Sequence, residues 1–93
     1  MTDENSPLLL VKIISPKETI FDGQATSVSS TNFLGKFDIL PEHANFITMV
    51  KSVPIEVRVP GEKGPRSFTF PLAIIYNIKN KVSIFTDIQG NLY

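Results

Sequence analysis

Residues 55–70 read Ile55-Glu56-Val57-Arg58-Val59-Pro60-Gly61-Glu62-Lys63-Gly64-Pro65-Arg66-Ser67-Phe68-Thr69-Phe70. Ile55, Val57 and Val59 alternate with Glu56 and Arg58, which puts apolar side chains on one face of an extended strand and charges on the other. Phe68 and Phe70 alternate with Ser67 and Thr69 in the same way. The run between them is rich in turn formers, so the two stretches make a hairpin. Downstream, Ile78-Lys79-Asn80-Lys81-Val82 offers a second tight turn centred on Lys79-Asn80, where Asn tolerates positive φ better than most residues.

The pattern holds in both directions along the chain. Seven prolines and five glycines cut it into short pieces rich in β-branched and aromatic residues. No window of helical length carries a 3.6-residue apolar stripe. The predicted strands are Leu8 to Ser15, Thr19 to Phe21, Ala25 to Ser30, Lys36 to Ile39, Asn45 to Val50, Ile55 to Val59, Ser67 to Phe70, Ile74 to Ile78 and Lys81 to Thr86. Many short strands at this spacing argue for an all-β sandwich or barrel. The first strand is apolar on both faces, as expected of a central or covered strand. Ser27-Val28-Ser29-Ser30-Thr31-Asn32 is polar enough to suit a solvated strand end and loop.

A chain of 93 residues is one domain and buries about 60–65% of the surface its unfolded form exposes. Its 42% hydrophobic and 19% charged residues fit a globular fold rather than disorder. Nine basic residues balance nine acidic ones, so no net field gathers phosphates or an anionic membrane surface. The absence of cysteine removes disulfides, thiolate nucleophiles and Cys-based metal sites. The apolar runs Leu8 to Val11 and Leu72 to Tyr76 fall far short of the roughly 20 residues that span a bilayer. The polar, acidic start reads as a flexible tail over 1–7 of a cytoplasmic protein, followed by one domain over 8–88 and a tail over 89–93.

Candidate chemistry is sparse. His43 is the single histidine, and with no cysteine beside it a structural zinc site cannot be built from this chain. Asp38 and Glu42 lie near it in sequence, but no nucleophile setting accompanies them. His43 is expected to hydrogen-bond a loop or face a protein partner. Neither a dinucleotide-binding glycine pattern nor a P-loop is present, so no catalytic residue, cofactor or metal is expected. Arg66, Phe68 and Phe70 with Lys79 and Lys81 resemble a basic-aromatic face for single-stranded nucleic acid. Core packing of the two phenylalanines is the better account. Leu40-Pro41-Glu42-His43-Ala44 should be a rigid turn, because proline fixes its own φ and holds Leu40 extended.

Several segments, in order, resemble one family. They are Leu10-Val11-Lys12-Ile13-Ile14-Ser15-Pro16, a Phe21-Asp22-Gly23 turn, Ser27-Val28-Ser29, Ile39-Leu40-Pro41 with His43-Ala44, and Asn80-Lys81-Val82-Ser83-Ile84-Phe85-Thr86-Asp87. Together they look like the N-terminal sandwich domain of the epsilon subunit of F-type ATP synthases, called delta in mitochondria. The resemblance implies a two-sheet β-sandwich of nine or ten short strands. It also implies a non-catalytic central-stalk subunit that links the gamma subunit to the membrane c-ring and sits peripherally, without lipid insertion, at the cytoplasmic face of a bacterial-type plasma membrane. By the same resemblance Ser15, His43 and Thr48 face gamma, and Lys36, Phe37 and Asp38 face the ring. The alternative is a stand-alone sandwich or barrel binding nucleic acid or glycan.

Four departures from the family pattern stand out. Asp38 and Glu42 replace residues that are usually glycine, or glycine or asparagine. Leu72-Ala73 replaces a common Gly-Gly, and Lys36 stands where an acidic residue is frequent. The family often continues into a two-helix C-terminal domain beyond the position of Tyr93. Without that hairpin, only the coupling role is expected.

Overall fold

The computed structural model describes residues 7–87. Apart from Pro7, the tails expected over 1–7 and 89–93 lie outside the described residues, as does the last position of the expected 8–88 domain. Nine strands follow one another: β1 (Leu9–Ile14), β2 (Thr19–Ala25), β3 (Ser27–Asn32), β4 (Gly35–Ile39), β5 (Phe46–Val50), β6 (Pro54–Arg58), β7 (Arg66–Thr69), β8 (Ala73–Ile78) and β9 (Lys81–Thr86). They form a five-stranded sheet ordered β2-β1-β9-β8-β5 and a four-stranded sheet ordered β4-β3-β6-β7. The expected β-sandwich is present.

Its core comes from the strand period of two. Leu9, Val11 and Ile13 of β1, Ile75 of β8, and Val82 and Ile84 of β9 are buried from the five-stranded sheet. Val28, Ile39, Ile55 and Val57 are buried from the other. The predicted hairpin of β6 and β7 forms with Ile55 opposite Phe68 and Val57 opposite Arg66. β8 and β9 pair up to Ile78 and Lys81, and Lys79 and Asn80 between them have φ of 49° and 67°. Positive φ at both central residues is the signature of a type I′ hairpin turn. β1 lies between β2, its antiparallel neighbour, and β9, its parallel one, with Leu10 exposed on the outer face.

The structure corrects the sequence reading at two places and settles the backbone at a third. Phe21-Asp22-Gly23 is no turn but the body of β2, where the three residues pair with Ile13, Lys12 and Val11. Gly23 is absent from the positive-φ residues. A Cβ there would lie 3.3 Å from Phe21 Cζ, because residues 21 and 23 share a face. The glycine therefore leaves room for a ring that is buried and meets Phe68 edge-on at 5.9 Å. The polar run 27–32 is an inner strand between β4 and β6. Its hydroxyls are absorbed by the fold: Ser30 Oγ donates to the Pro54 carbonyl at 2.8 Å. Leu72-Ala73 needs no glycine-like backbone, since neither has positive φ. Ala73 opens β8 fully buried, opposite Val50 and Thr86.

Candidate partner-binding surfaces

The loop from β4 to β5 is built on Pro41. The His43 N–H donates to the Leu40 carbonyl at 3.0 Å, and Glu42 has φ of 70°. Proline at the second position and positive φ at the third describe a type II turn, which normally takes Gly or Asn where Glu42 stands. The conformation is held by three asparagines, two of them outside the loop. Asn80 Oδ1 accepts the Glu42 N–H at 2.7 Å, and Asn80 Nδ2 donates to Glu42 Oε2 at 3.2 Å. Asn45 Oδ1 accepts the Lys79 N–H at 3.1 Å. Asn77 Nδ2 donates to the Ala44 carbonyl at 3.2 Å and the His43 carbonyl at 3.4 Å. Asn77 is fully buried, and its Oδ1 has no hydrogen-bond partner among the described residues.

His43 sits half-buried on this loop. Its Nδ1 lies 2.7 Å from the Ala44 carbonyl oxygen, and a carbonyl only accepts, so Nδ1 carries the proton. The ring meets Phe46 edge-on at 5.6 Å, and Phe46 meets Phe37 in the same manner at 5.3 Å. Phe37 thus packs inward against the core, while Lys36 and Asp38 on the same strand are exposed. Asp38 Oδ1 accepts the Ser29 hydroxyl at 2.5 Å.

Ser15 and Thr48 are engaged within the fold. The Ser15 hydroxyl accepts from the Lys17 and Glu18 N–H groups at 3.2 and 3.1 Å and donates to the Glu18 carbonyl at 3.2 Å, closing the β1–β2 hairpin. Thr48 Oγ1 accepts from Asn32 Nδ2 at 2.9 Å, a tie between the two sheets. The Leu10 end of β1 abuts the Lys79–Asn80 turn, since the Leu10 N–H donates to the Asn80 carbonyl at 2.8 Å. Ser15 is five strand steps away, about 17 Å. The fold therefore gathers His43 with Asn45 and Phe46 at one end of the five-stranded sheet and places Ser15 at the other.

Two further surfaces emerge that the sequence reading did not single out. On the four-stranded sheet, a groove of about 590 Å³ has Ser29 and Thr31 at its floor, between Lys36 and Asp38 on β4 and Glu56 and Arg58 on β6. It holds hydroxyls and mixed charges but no nucleophile paired with a histidine. On the five-stranded sheet, Ile47, Met49, Tyr76, Ile78 and Phe85 are exposed on the outer face and are neighbours by register: Ile47 faces Tyr76, and Met49 and Phe85 both face Ile74. Apolar residues at consecutive positions, as in Ile74-Ile75-Tyr76, were the available signal.

The basic-aromatic face does not form. Phe68 and Phe70 stack and pack against the core. Arg66 reaches Glu62 with two hydrogen bonds, of 2.7 and 3.1 Å, and lies 5.6 Å from the Phe21 ring centroid. Those hydrogen bonds hold Glu62 below the usual carboxylate range and raise Arg66. Both side chains are open to solvent, so the pair is screened. Among the described residues no cluster of three His, Cys, Asp or Glu could hold a metal ion.

Residues 8–89 match the family model described as the β-sandwich domain of the ATP synthase delta/epsilon chain. The chain belongs to this family. Over 55 residues, 59% of this chain, it is 27% identical to the ATP synthase epsilon chain of Brevibacillus brevis and 34% identical to that of a Nitratiruptor species. Those segments are 42% and 43% of the relatives, so the alignments span less than half their length. A chain in the Euglena gracilis mitochondrial ATP synthase structure, which includes OSCP, F1 and the c-ring, superposes with a TM-score of 0.76 at 18% identity, covering 91% of this chain and 54% of that one. A chain in the Tetrahymena thermophila mitochondrial ATP synthase central stalk and c-ring structure gives 0.68 at 10% identity, covering 91% and 72%. These likenesses show that the sandwich fold recurs in chains of low sequence identity.

Proposed function

We propose that this chain serves as the epsilon-type subunit of the central stalk of a rotary ATP synthase, holding the gamma subunit and the membrane c-ring together so that ion-driven rotation is transmitted as torque. The family match over residues 8–89 carries the reading. The geometry supports it. β4 places Lys36 near one end and leads at the other into the pinned loop that presents His43, so two partners can be engaged at opposite ends of one strand about 13 Å long. In this role the subunit is non-catalytic and peripheral, at the cytoplasmic face of a bacterial-type plasma membrane. Gamma is met by the His43 loop with Thr48 as a supporting position, and the ring by Lys36 and Asp38 with Phe37 holding their strand against the core; Ser15, which closes its own hairpin at the other end of the larger sheet, is left out of the gamma surface.

The test is reconstitution of the full chain with gamma and the ring. His43→Glu should weaken co-purification with gamma while lowering stability by only about 0.5–1.5 kcal/mol, the worth of the lost ring contact with Phe46. Unchanged gamma binding in both His43→Glu and His43→Arg would move the interface elsewhere.

A further inference from the structure

Among the described residues the two sheets have four edge strands, β2 and β5 in the larger and β4 and β7 in the smaller. An edge presents a row of unpaired N–H and C=O groups, and folds blunt that row with charges, prolines or irregular register. Three of the four edges follow this rule. β2 carries Asp22 and a register shift against β1 between Ile13 and Ile14. β4 carries Lys36 and Asp38. β7 has four residues, opens on Arg66 and lies between Pro65 and Pro71. β5 has none of these guards. Phe46-Ile47-Thr48-Met49-Val50 contains no charge, proline or glycine, and it pairs with β8 at every position without a shift. Outside that ladder, no backbone hydrogen bond among the described residues reaches Phe46 to Val50.

Such an edge is a template for another extended strand, and its sequence fits a second copy of itself. With Thr48 on a two-fold axis perpendicular to the sheet, antiparallel pairing sets Ile47 opposite Met49 of the second copy and Phe46 opposite Val50. The next pair outward is Asn45 with Lys51, so no like charges meet. Ile47 and Met49 are 58% and 48% exposed on the outer face, and the pairing gives each an apolar neighbour across the seam. The other three edges of a second copy would bring charge to that seam. Zero net charge also leaves no long-range repulsion between copies. We propose that the free chain self-associates through β5, joining two five-stranded sheets into one continuous sheet. A seam five residues long spans about 17 Å and falls below the roughly 1,000 Å² of a stable interface. The pair is therefore reversible, with a dissociation constant of about 0.1 mM.

The experiment is sedimentation equilibrium of the full chain between about 10 μM and 1 mM, with amide exchange followed over the same range. A monomer–dimer equilibrium is expected, and exchange within β5 should slow as concentration rises while β2, β4 and β7 stay constant. Ile47→Lys and Met49→Glu each break the apolar pairs across the seam and should weaken association about tenfold. The double variant I47K/M49E sets opposite charges across the seam at both positions and should return to within about threefold of wild type. Thermal unfolding at low concentration should hardly change in any of the three, because both side chains are exposed. A chain that stays monomeric at about 1 mM refutes the proposal, and so does a dimer whose exchange protection falls outside β5. A folded double variant that does not regain association refutes the pairing about Thr48. If the free chain is monomeric and its β5 amides are protected only in complex with gamma, the edge belongs to gamma and the proposal is overturned.

Discussion

Asn80 offers the sharpest test of how the His43 loop is held. It occupies the left-handed region at φ 67°, and its side chain accepts one hydrogen bond from Glu42 and donates another to it. Replacing it separates two contributions. Asn80→Gly keeps the turn conformation and removes the clasp. Two partly exposed hydrogen bonds are worth about 1–2 kcal/mol together, and the added freedom of unfolded glycine brings the expected loss to roughly 1.5–2.5 kcal/mol. Asn80→Ala loses the same bonds and puts in the left-handed region a residue without the local polar side-chain contact that lets Asn occupy it, which adds about 1–2 kcal/mol, so about 2–4 kcal/mol is expected. Against a total near 5–14 kcal/mol for a domain of this length, the alanine variant should melt roughly 8–32 °C below wild type. Urea titration gives the stabilities, and amide exchange at Glu42, whose N–H is bonded to Asn80 Oδ1, reads the clasp directly. Exchange should quicken in both variants. If Asn80→Ala stays within about 0.5 kcal/mol of wild type with Glu42 exchange unchanged, the loop is fixed by Pro41 alone and the clasp argument fails.

Other outcomes follow from the same geometry. Gly23→Val should displace the Phe21 ring, which a Cβ would already approach at 3.3 Å, and destabilise the domain by about 1–3 kcal/mol in denaturant titration. Lys36→Glu, at an exposed edge-strand position, should change stability by less than about 0.5 kcal/mol yet alter coupled activity in membranes carrying the complex; loss of the fold would make Lys36 structural. Isothermal titration of the chain with Mg-ATP should show no binding, since the sequence contains no phosphate-binding glycine loop; micromolar affinity would refute the non-catalytic, nucleotide-free reading.

The fold was legible wherever one face of a strand is apolar and the other charged. Ile55-Glu56-Val57-Arg58 and Lys81 to Thr86 announce themselves because burial and solvent select different residues at alternate positions. β3 was read only in part, as Ala25 to Ser30, because Ser, Thr and Asn satisfy the ladder without advertising which face is buried. Asp22-Gly23 misled for a related reason: the dipeptide is a turn former, and only the register against β1 shows that its glycine accommodates a ring. The candidate site was legible as a stiff Leu40-Pro41 turn bearing His43. Its supports were not, since Asn77 and Asn80 reach across 33 to 38 positions, and no local pattern encodes a contact at that distance. Ser15 illustrates the converse. A serine at a matching position closes its own hairpin, which the residue type alone cannot distinguish from a surface contact.

The parallel pairing of β1 with β9 joins Leu10–Ile14 to Lys81–Phe85 in register. A nascent chain cannot complete its larger sheet until β9 has emerged, and this pairing carries the longest loop closure among the described ladders. The same joint governs the response to tension. Because the strands run in one direction, a pull between Leu9 and Thr86 drags β1 and β9 past each other lengthwise, and their slanted hydrogen bonds share the load together instead of opening one by one as in a peeled hairpin. The two outermost described strands of the sequence thus meet as a shear clamp in the middle of the larger sheet.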